Sequence, residues 1–251
     1  MKVSESTSLE SKYTKEFLAS TIDQSVLRPT HTAKDIEEGA RICIENNLRA
    51  LVVNPYYVML AKKLLSKSST LVACVCDFPH GRETTTNRVN AVKELLEEGV
   101  DEIDIVAKYH LLKDKDSKGF KEDIRRVIKA MGGSGKVLKI ILEVDHLTES
   151  EIKEATRLIA EAAKEEKANN VIVKTKTGFA LENKVPNLLA LGIIKTILEE
   201  MGIYAKKIED IKNGKIGIKT SGGIKTKEEA LPLLDNGAHV LGTSSGDVIC
   251  A

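Results

Sequence analysis

Two lysines occupy near-matching phrases late in the chain: Lys174 in VIVKTKTG and Lys219 in IGIKTSGG. Each sits in a β-branched run of the kind that forms a buried strand. Burying an ammonium is costly, so a chain that does it twice has a use for the charge. Low dielectric and a neighbouring cation both push a lysine toward its neutral amine, which is a nucleophile at neutral pH. The chemistry to expect is Schiff-base formation with a carbonyl compound.

Side chains alternate along strands, so parity groups the other polar residues with these two. Lys176 shares the parity of Lys174, and Gly217 and Ser221 share that of Lys219. Glu102 pairs with Asp104, Lys139 with Glu143, and the first strand offers Asp23. If those faces point inward, Lys174, Lys219, Lys139, Asp104 and Asp23 meet in one place. At any single strand the alternative is a solvated lysine or an ordinary salt bridge. Recurrence on adjacent strands favours a shared network, because interior charges must pair.

The elements that would position these residues are regular. Strands are predicted over Thr21–Leu27, Ala50–Asn54, Thr70–Asp77, Glu102–Ala107, Val137–Val144, Asn170–Thr175, Ile216–Thr220 and Val240–Thr243. Helical apolar spacing fills the gaps, at Lys34–Asn46, Val58–Ser66, Asn87–Glu98, Lys121–Met131, Glu149–Lys164, Leu188–Met201 and Lys227–Asp235. Thr148 with Glu151 and Thr226 with Glu229 read as capping boxes, and Gly99 and Gly237 as helix stops. This alternation predicts an α/β fold, a (β/α)8 TIM barrel over residues 20–251, with residues 1–19 a helical extension. A doubly wound open sheet is the alternative, but no Gly-rich fingerprint follows the first strand. The charged stretch Tyr204–Lys215 reads as a surface excursion, and little chain remains for an eighth helix.

Barrel enzymes hold their sites at the C-terminal ends of strands, with phosphate commonly bound by the loops after strands seven and eight. Here those loops are Ser221-Gly222-Gly223 and Thr243-Ser244-Ser245-Gly246, and Thr177-Gly178 follows strand six. Glycine lets the backbone approach an anion, and hydroxyls add donors. His31, His80, His110 and His146 follow strands one, three, four and five. They lack the spacing of a metal motif and read as loop polarity or substrate contacts, so no metal and no cofactor is expected.

With 251 residues, 42% hydrophobic, the chain can build one large core. Its 38 basic and 37 acidic residues give a net charge of +1, which argues against nucleic-acid or membrane-surface partners. Cys43, Cys74, Cys76 and Cys250 form no C-x-x-C pair and read as reduced core thiols. No signal-peptide pattern or membrane-length apolar run is present, so cytoplasm is the expected compartment.

Eight phrases occur in order that together resemble the deoxyribose-phosphate aldolase family, class I Schiff-base aldolases on a (β/α)8 barrel. They are IDQSVLRP, VVNP, DFPHG, DEIDIV, KVLKIILE, VKTKTGF, IKTSGGIKT and LGTSSG. The resemblance runs from about residue 20 to the C-terminus. It implies reversible cleavage of 2-deoxyribose 5-phosphate to glyceraldehyde 3-phosphate and acetaldehyde, without metal. It implies Lys174 as the nucleophile, Lys219 as the cation beside it, Asp104 and Lys139 as the proton relay with a water, and Asp23 as their support. It places phosphate on Thr177, Gly178, Ser221, Gly222, Gly223, Gly242, Ser244 and Ser245, and implies a homodimer or larger homo-oligomer.

The chain departs from that family pattern near the expected mouth. Lys176 stands where a small hydroxyl residue is usual, and Asp23-Gln24-Ser25 replaces Asp-His-Thr. Val52 replaces a cysteine, and Glu143-Val144-Asp145-His146 and Lys108-Tyr109-His110 are atypical. By parity Lys176 sits one layer above Lys174, where it would depress the pKa of Lys174, bind an anionic group or fill the site. These departures leave open another phosphorylated sugar or keto substrate for the same imine chemistry. The loop histidines leave open a metal-dependent hydrolase.

Overall fold

Eight β-branched runs form eight parallel strands, and these close on themselves in sequence order, β1 pairing with β8. The strands are β1 (Ile22–Val26), β2 (Ala50–Val53), β3 (Leu71–Cys76), β4 (Glu102–Val106), β5 (Val137–Ile141), β6 (Val171–Lys174), β7 (Ile216–Ser221) and β8 (Val240–Thr243). This is the expected (β/α)8 barrel. The computed structural model describes residues 12–251.

Helix α1 (Lys15–Thr21) leads into β1 and is capped by Thr14, whose hydroxyl accepts the Phe17 N–H. The rest of the anticipated N-terminal extension, residues 1–11, lies outside the described residues. The outer ring is α2 (Ala33–Asn46), α3 (Val58–Leu65), α4 (Thr85–Glu97), α5 (Tyr109–Lys113), α6 (Ser117–Met131), α7 (Glu149–Glu165), α8 (Asn187–Glu200) and α9 (Lys227–Asp235). A four-residue α10 (Gly246–Ile249) closes the chain. Both capping boxes form: Thr148 N–H donates to Glu151 Oε2 at 2.7 Å, and Thr226 N–H to Glu229 Oε2 at 3.2 Å. Gly99 and Gly237 take positive φ at their helix ends.

Strand alternation sorts the core into two bodies. Outward side chains such as Ile103, Ile105, Leu138, Ile140, Val171, Val173 and Ile218 pack under the helices in the main hydrophobic cluster. Inward, β2 and β3 present Ala50, Val52, Ala73 and Val75, joined by Leu27 just past the end of β1, all small or branched. The inward face of β4–β7 is polar and carries Glu102, Asp104, Lys139, Lys174 and Lys219, every one buried. The interior is therefore half hydrocarbon and half charge.

The stretch 204–215 is not the surface excursion its charge suggests. Its Ala205 and Ile211 are buried against Ile172 and Val240 and seal the end of the barrel opposite the mouth. Charge dominates its sequence because only one side of a short 3-10 turn, Ile208–Asn213, faces the barrel. The four cysteines are buried free thiols, and burial pushes Cys43 up to about 12 and Cys76 to about 11. Among the described residues no helix is long and apolar enough to cross a membrane.

Candidate active site

Register places the charged residues side by side. Asp104 is the register partner of Lys139 across β4–β5, and Lys174 that of Lys219 across β6–β7. The four side chains converge inside the barrel. Asp104 Oδ2 accepts from Lys174 Nζ at 2.7 Å and from Lys219 Nζ at 2.9 Å, while Oδ1 accepts from Lys139 Nζ at 2.8 Å. Asp23 reaches in from β1, its Oδ2 binding Lys219 at 2.5 Å and Lys139 at 2.9 Å. All five residues that sequence parity gathered are thus in one network.

Two further members complete the network. Arg49 binds Asp23 Oδ1 at 2.6 Å and Glu102 Oε2 at 2.9 Å, and Glu102 also sits 2.5 Å from Lys139. Glu102 was legible by parity with Asp104. Arg49 was not: it precedes β2, and its guanidinium enters from beneath. The completed network holds four cations (Arg49, Lys139, Lys174 and Lys219) and three carboxylates (Asp23, Glu102 and Asp104). A dry interior cannot readily carry a surplus charge, so one cation must yield its proton easily.

The group that yields is Lys174. Burial, opposed by Asp104 and aided by Lys219 and Lys139, brings its pKa down to about 8. Lys139 moves the other way: Asp104, Asp23 and Glu102 overcome its burial and hold it protonated. Asp104 and Asp23 are both buried, yet the surrounding ammonium groups keep each well below the usual carboxylate range.

Above this network opens a cavity of about 520 Å³, in the size range of small-molecule sites. Lys174, Lys219 and Asp23 form part of its wall; Asp104 and Lys139 lie beneath. Its rim carries Thr177, Gly178, Ser221, Gly222, Gly223, Gly242 and Ser244, together with Arg28, His31 and Lys225. Gly178, Gly222 and Gly223 take φ of 82°, 87° and 78°, a region open to glycine at little cost. A Cβ on Gly242 would lie 3.0 Å from Lys219 Cε, so that glycine gives the lysine stem its passage. Ser245 lies outside the cavity wall, where its N–H donates to Thr243 Oγ1 at 2.9 Å. The Ser221 hydroxyl is engaged with the Lys176 carbonyl at 2.6 Å.

Parity failed beyond the strand ends. β6 stops at Lys174, and Lys176 turns to Asp145, Asn183 and the Val185 carbonyl, away from the cavity wall. β5 stops at Ile141 rather than Val144, and Glu143 adopts φ 52°. Glu143 therefore leaves the face of Lys139 and binds Thr177 N–H at 3.2 Å. Burial raises its pKa.

The other departures also have places. Gln24 points outward and braces the loop after β8, accepting Gly246 N–H at 3.0 Å and donating to the Ser244 carbonyl at 3.2 Å. Val52 belongs to the inner hydrocarbon patch. Tyr109, Glu143, His80 and His146 line a second cavity of about 340 Å³ over β3–β6. His31 lines the main cavity, His80 and His146 line the second and His110 lines neither, and among the described residues no three His, Cys, Asp or Glu side chains group as metal ligands.

Residues 17–247 match the sequence model of the DeoC/LacD family aldolase. The chain belongs to that family. A deoxyribose-phosphate aldolase of Thermococcus kodakarensis is 36% identical over 234 residues, covering 92% of this chain and 95% of that protein. One of Dictyoglomus turgidum is 35% identical over 229 residues, covering 91% and 94%. Among solved structures, an aldolase designated QR15 superposes with a TM-score of 0.78 at 31% identity, over 93% of this chain and 94% of that one. The DeoC/LacD membership and the buried amine with a depressed pKa point to the same carbonyl chemistry by independent routes.

Proposed function

We propose that the protein is a class I aldolase that reversibly cleaves 2-deoxyribose 5-phosphate to glyceraldehyde 3-phosphate and acetaldehyde. The observation that carries this reading is Lys174, a buried amine with a depressed pKa, in the wall of a cavity rimmed by positive-φ glycines. Family membership and relatives named for that reaction support it.

In this account neutral Lys174 Nζ attacks C1 of the open-chain sugar, and loss of water leaves an iminium. The C3 hydroxyl gives up its proton, the C2–C3 bond breaks, and its electron pair moves into the iminium to form an enamine. Glyceraldehyde 3-phosphate departs. Protonation at C2 regenerates an iminium, and water releases acetaldehyde and the amine. Asp104, through an ordered water and Lys139, moves the protons. Lys219 lowers the pKa of Lys174 and so enlarges its neutral fraction, and Asp23 fixes Lys219 and Lys139.

The phosphate lies on backbone N–H groups at Gly178, Gly222 and Gly223, with Thr177, Ser221, Gly242 and Ser244 lining that end. Lys225 adds a positive charge at the rim. Binding energy gathered there orients C1 over Lys174. Residues 20–251 act as one catalytic unit in this reading, and it includes a homodimer or larger assembly, which light scattering would reveal.

A different substrate was motivated by Lys176 and Asp145, but these satisfy each other away from the main cavity. A panel of sugar phosphates tests the choice. Deoxyribose 5-phosphate should be cleaved fastest, with chelator making no difference. Rapid cleavage of another sugar phosphate, with none of deoxyribose 5-phosphate, would reject the assignment.

A further inference from the structure

The loop joining β6 to α8, residues 175–186, carries Thr177, Gly178 and Phe179 into the wall of the main cavity. Its far part, 181–184, is exposed to solvent. A dozen residues of loop have large conformational freedom to lose, so something must hold them if Gly178 is to meet a ligand in one geometry.

Lys176 is placed to do this. Its ammonium is buried and donates to Asp145 Oδ1 at 3.0 Å, to the Val185 carbonyl at 2.6 Å and to Asn183 Oδ1. A lysine ammonium has three N–H donors, and all three are used. Asp145 Oδ1 in turn accepts Val185 N–H at 2.9 Å. The returning end of the loop is thereby tied to its own beginning and to the loop after β5.

The same residue touches the loop after β7. Its stem lies against Gly222, where a Cβ would come within 3.1 Å of Lys176 Cδ, and its carbonyl accepts the Ser221 hydroxyl at 2.6 Å. Gly178 and Gly222 themselves pack backbone to backbone: a Cβ on Gly178 would lie 3.8 Å from Gly222 Cα. Three loops of the mouth thus converge on one side chain that never reaches the cavity.

We propose that Lys176 is a positioning residue, a clamp that fixes Gly178 against Gly222 so that the mouth receives the substrate's phosphate preorganised. This rests on the proposed function for the identity of the phosphorylated ligand. Lys176 contacts no reacting atom in this role and does not tune Lys174.

The test compares the full-length protein with Lys176→Met and with the double variant Lys176→Met/Asp145→Asn, which leaves no buried carboxylate unpaired. Three quantities are measured: amide hydrogen exchange over 178–185, affinity for inorganic phosphate, and kinetics on deoxyribose 5-phosphate and on unphosphorylated 2-deoxyribose. In both variants loop exchange should accelerate about tenfold or more, because opening no longer breaks the clamp. The Kd for inorganic phosphate and the KM for the phosphorylated sugar should rise about fivefold or more as preorganisation is lost. kcat/KM for 2-deoxyribose should stay within about twofold, and the acid limb set by Lys174 should not move.

Unchanged loop exchange in both variants would overturn the proposal, as would equal losses on the two sugars. So would a shift of the acid limb, which would mean that Lys176 acts by its charge on the nucleophile. If the unmodified protein cleaves neither sugar, the proposed activity fails, while exchange and phosphate affinity still decide the clamp.

Discussion

Lys174 and Lys219 are register partners on neighbouring strands, and their ammonium groups bind the same oxygen of Asp104, at 2.7 and 2.9 Å. Two cations sharing one acceptor oxygen repel, and the arrangement eases when one of them is neutral. Lys219 has a second carboxylate in Asp23, at 2.5 Å, whereas among the described residues Lys174 has Asp104 alone. Lys174 is therefore the one that gives up its proton.

Removing the cationic neighbour should raise the pKa of Lys174, since Lys219 is one of the groups that lowers it. In Lys219→Leu the acid limb of kcat/KM should move from about 8 to higher pH. A shift of one unit costs about tenfold in rate below the limb. The full pH profile is the check, and an unmoved limb would refute this role for Lys219.

Lys174→Met should abolish cleavage and yet be more stable than the parent at neutral pH. A folded pKa of about 8, below the usual 10.5, means the unfolded chain binds more protons between those values. Stability of the parent then rises with pH across that window, and below it the whole penalty is present. Lys174→Met lacks the penalty, so it should gain up to about 3 kcal/mol at neutral pH. The gain should fade as pH climbs through the window. Denaturant titrations at pH 7 and pH 10 measure it; a variant less stable at pH 7 would contradict the sign.

Asp104 gives the opposite limb. Its folded pKa lies well below the ordinary value because Lys139, Lys174 and Lys219 surround it. The stability it contributes is complete above the ordinary carboxylate pKa and is lost as pH falls through the folded one. Asp104→Asn should lower stability near neutrality by about 3–5 kcal/mol, since buried ammonium groups lose their partner, and should flatten the acid limb of the stability curve. Thermal melts between pH 3 and pH 7, pH values taken to bracket the usual ~3.9 of Asp, report both effects. Activity should fall with the loss of the proton relay.

Gly242→Ala tests the packing under Lys219. The added methyl would lie 2.8 Å from Ser221 Cβ and 3.0 Å from Lys219 Cε, closer than ordinary contact. Overpacking of this kind costs about 1–3 kcal/mol and should displace Lys219 from Asp104. Activity at neutral pH should drop, with recovery at higher pH as Lys174 titrates. Full activity at pH 7 would show that the stem tolerates the shift.

The barrel was legible because period-two apolar runs and helical spacing agree along its length, and the charged residues inside β1 and β4–β7 follow the same parity. Legibility ended where strands end. Lys176 and Glu143 lie past the last strand residue, so alternation no longer fixes their direction, and loop hydrogen bonds decide it. Arg49 was hidden for a related reason: a long side chain before β2 reaches its partners from beneath rather than from the strand face. The apolar side of 204–215 was masked because Ala205, Ile208 and Ile211 stand among lysines and acids.

Borohydride reduction in the presence of acetaldehyde, followed by peptide mass mapping, addresses the central claim most directly. Reduction converts an imine into a stable secondary amine at whichever lysine formed it. The account predicts an N-ethyl group on Lys174, absent from Lys174→Met and undiminished by chelator. An adduct on Lys176 or Lys219 in its place, or no adduct at all at a pH above 8, would contradict it.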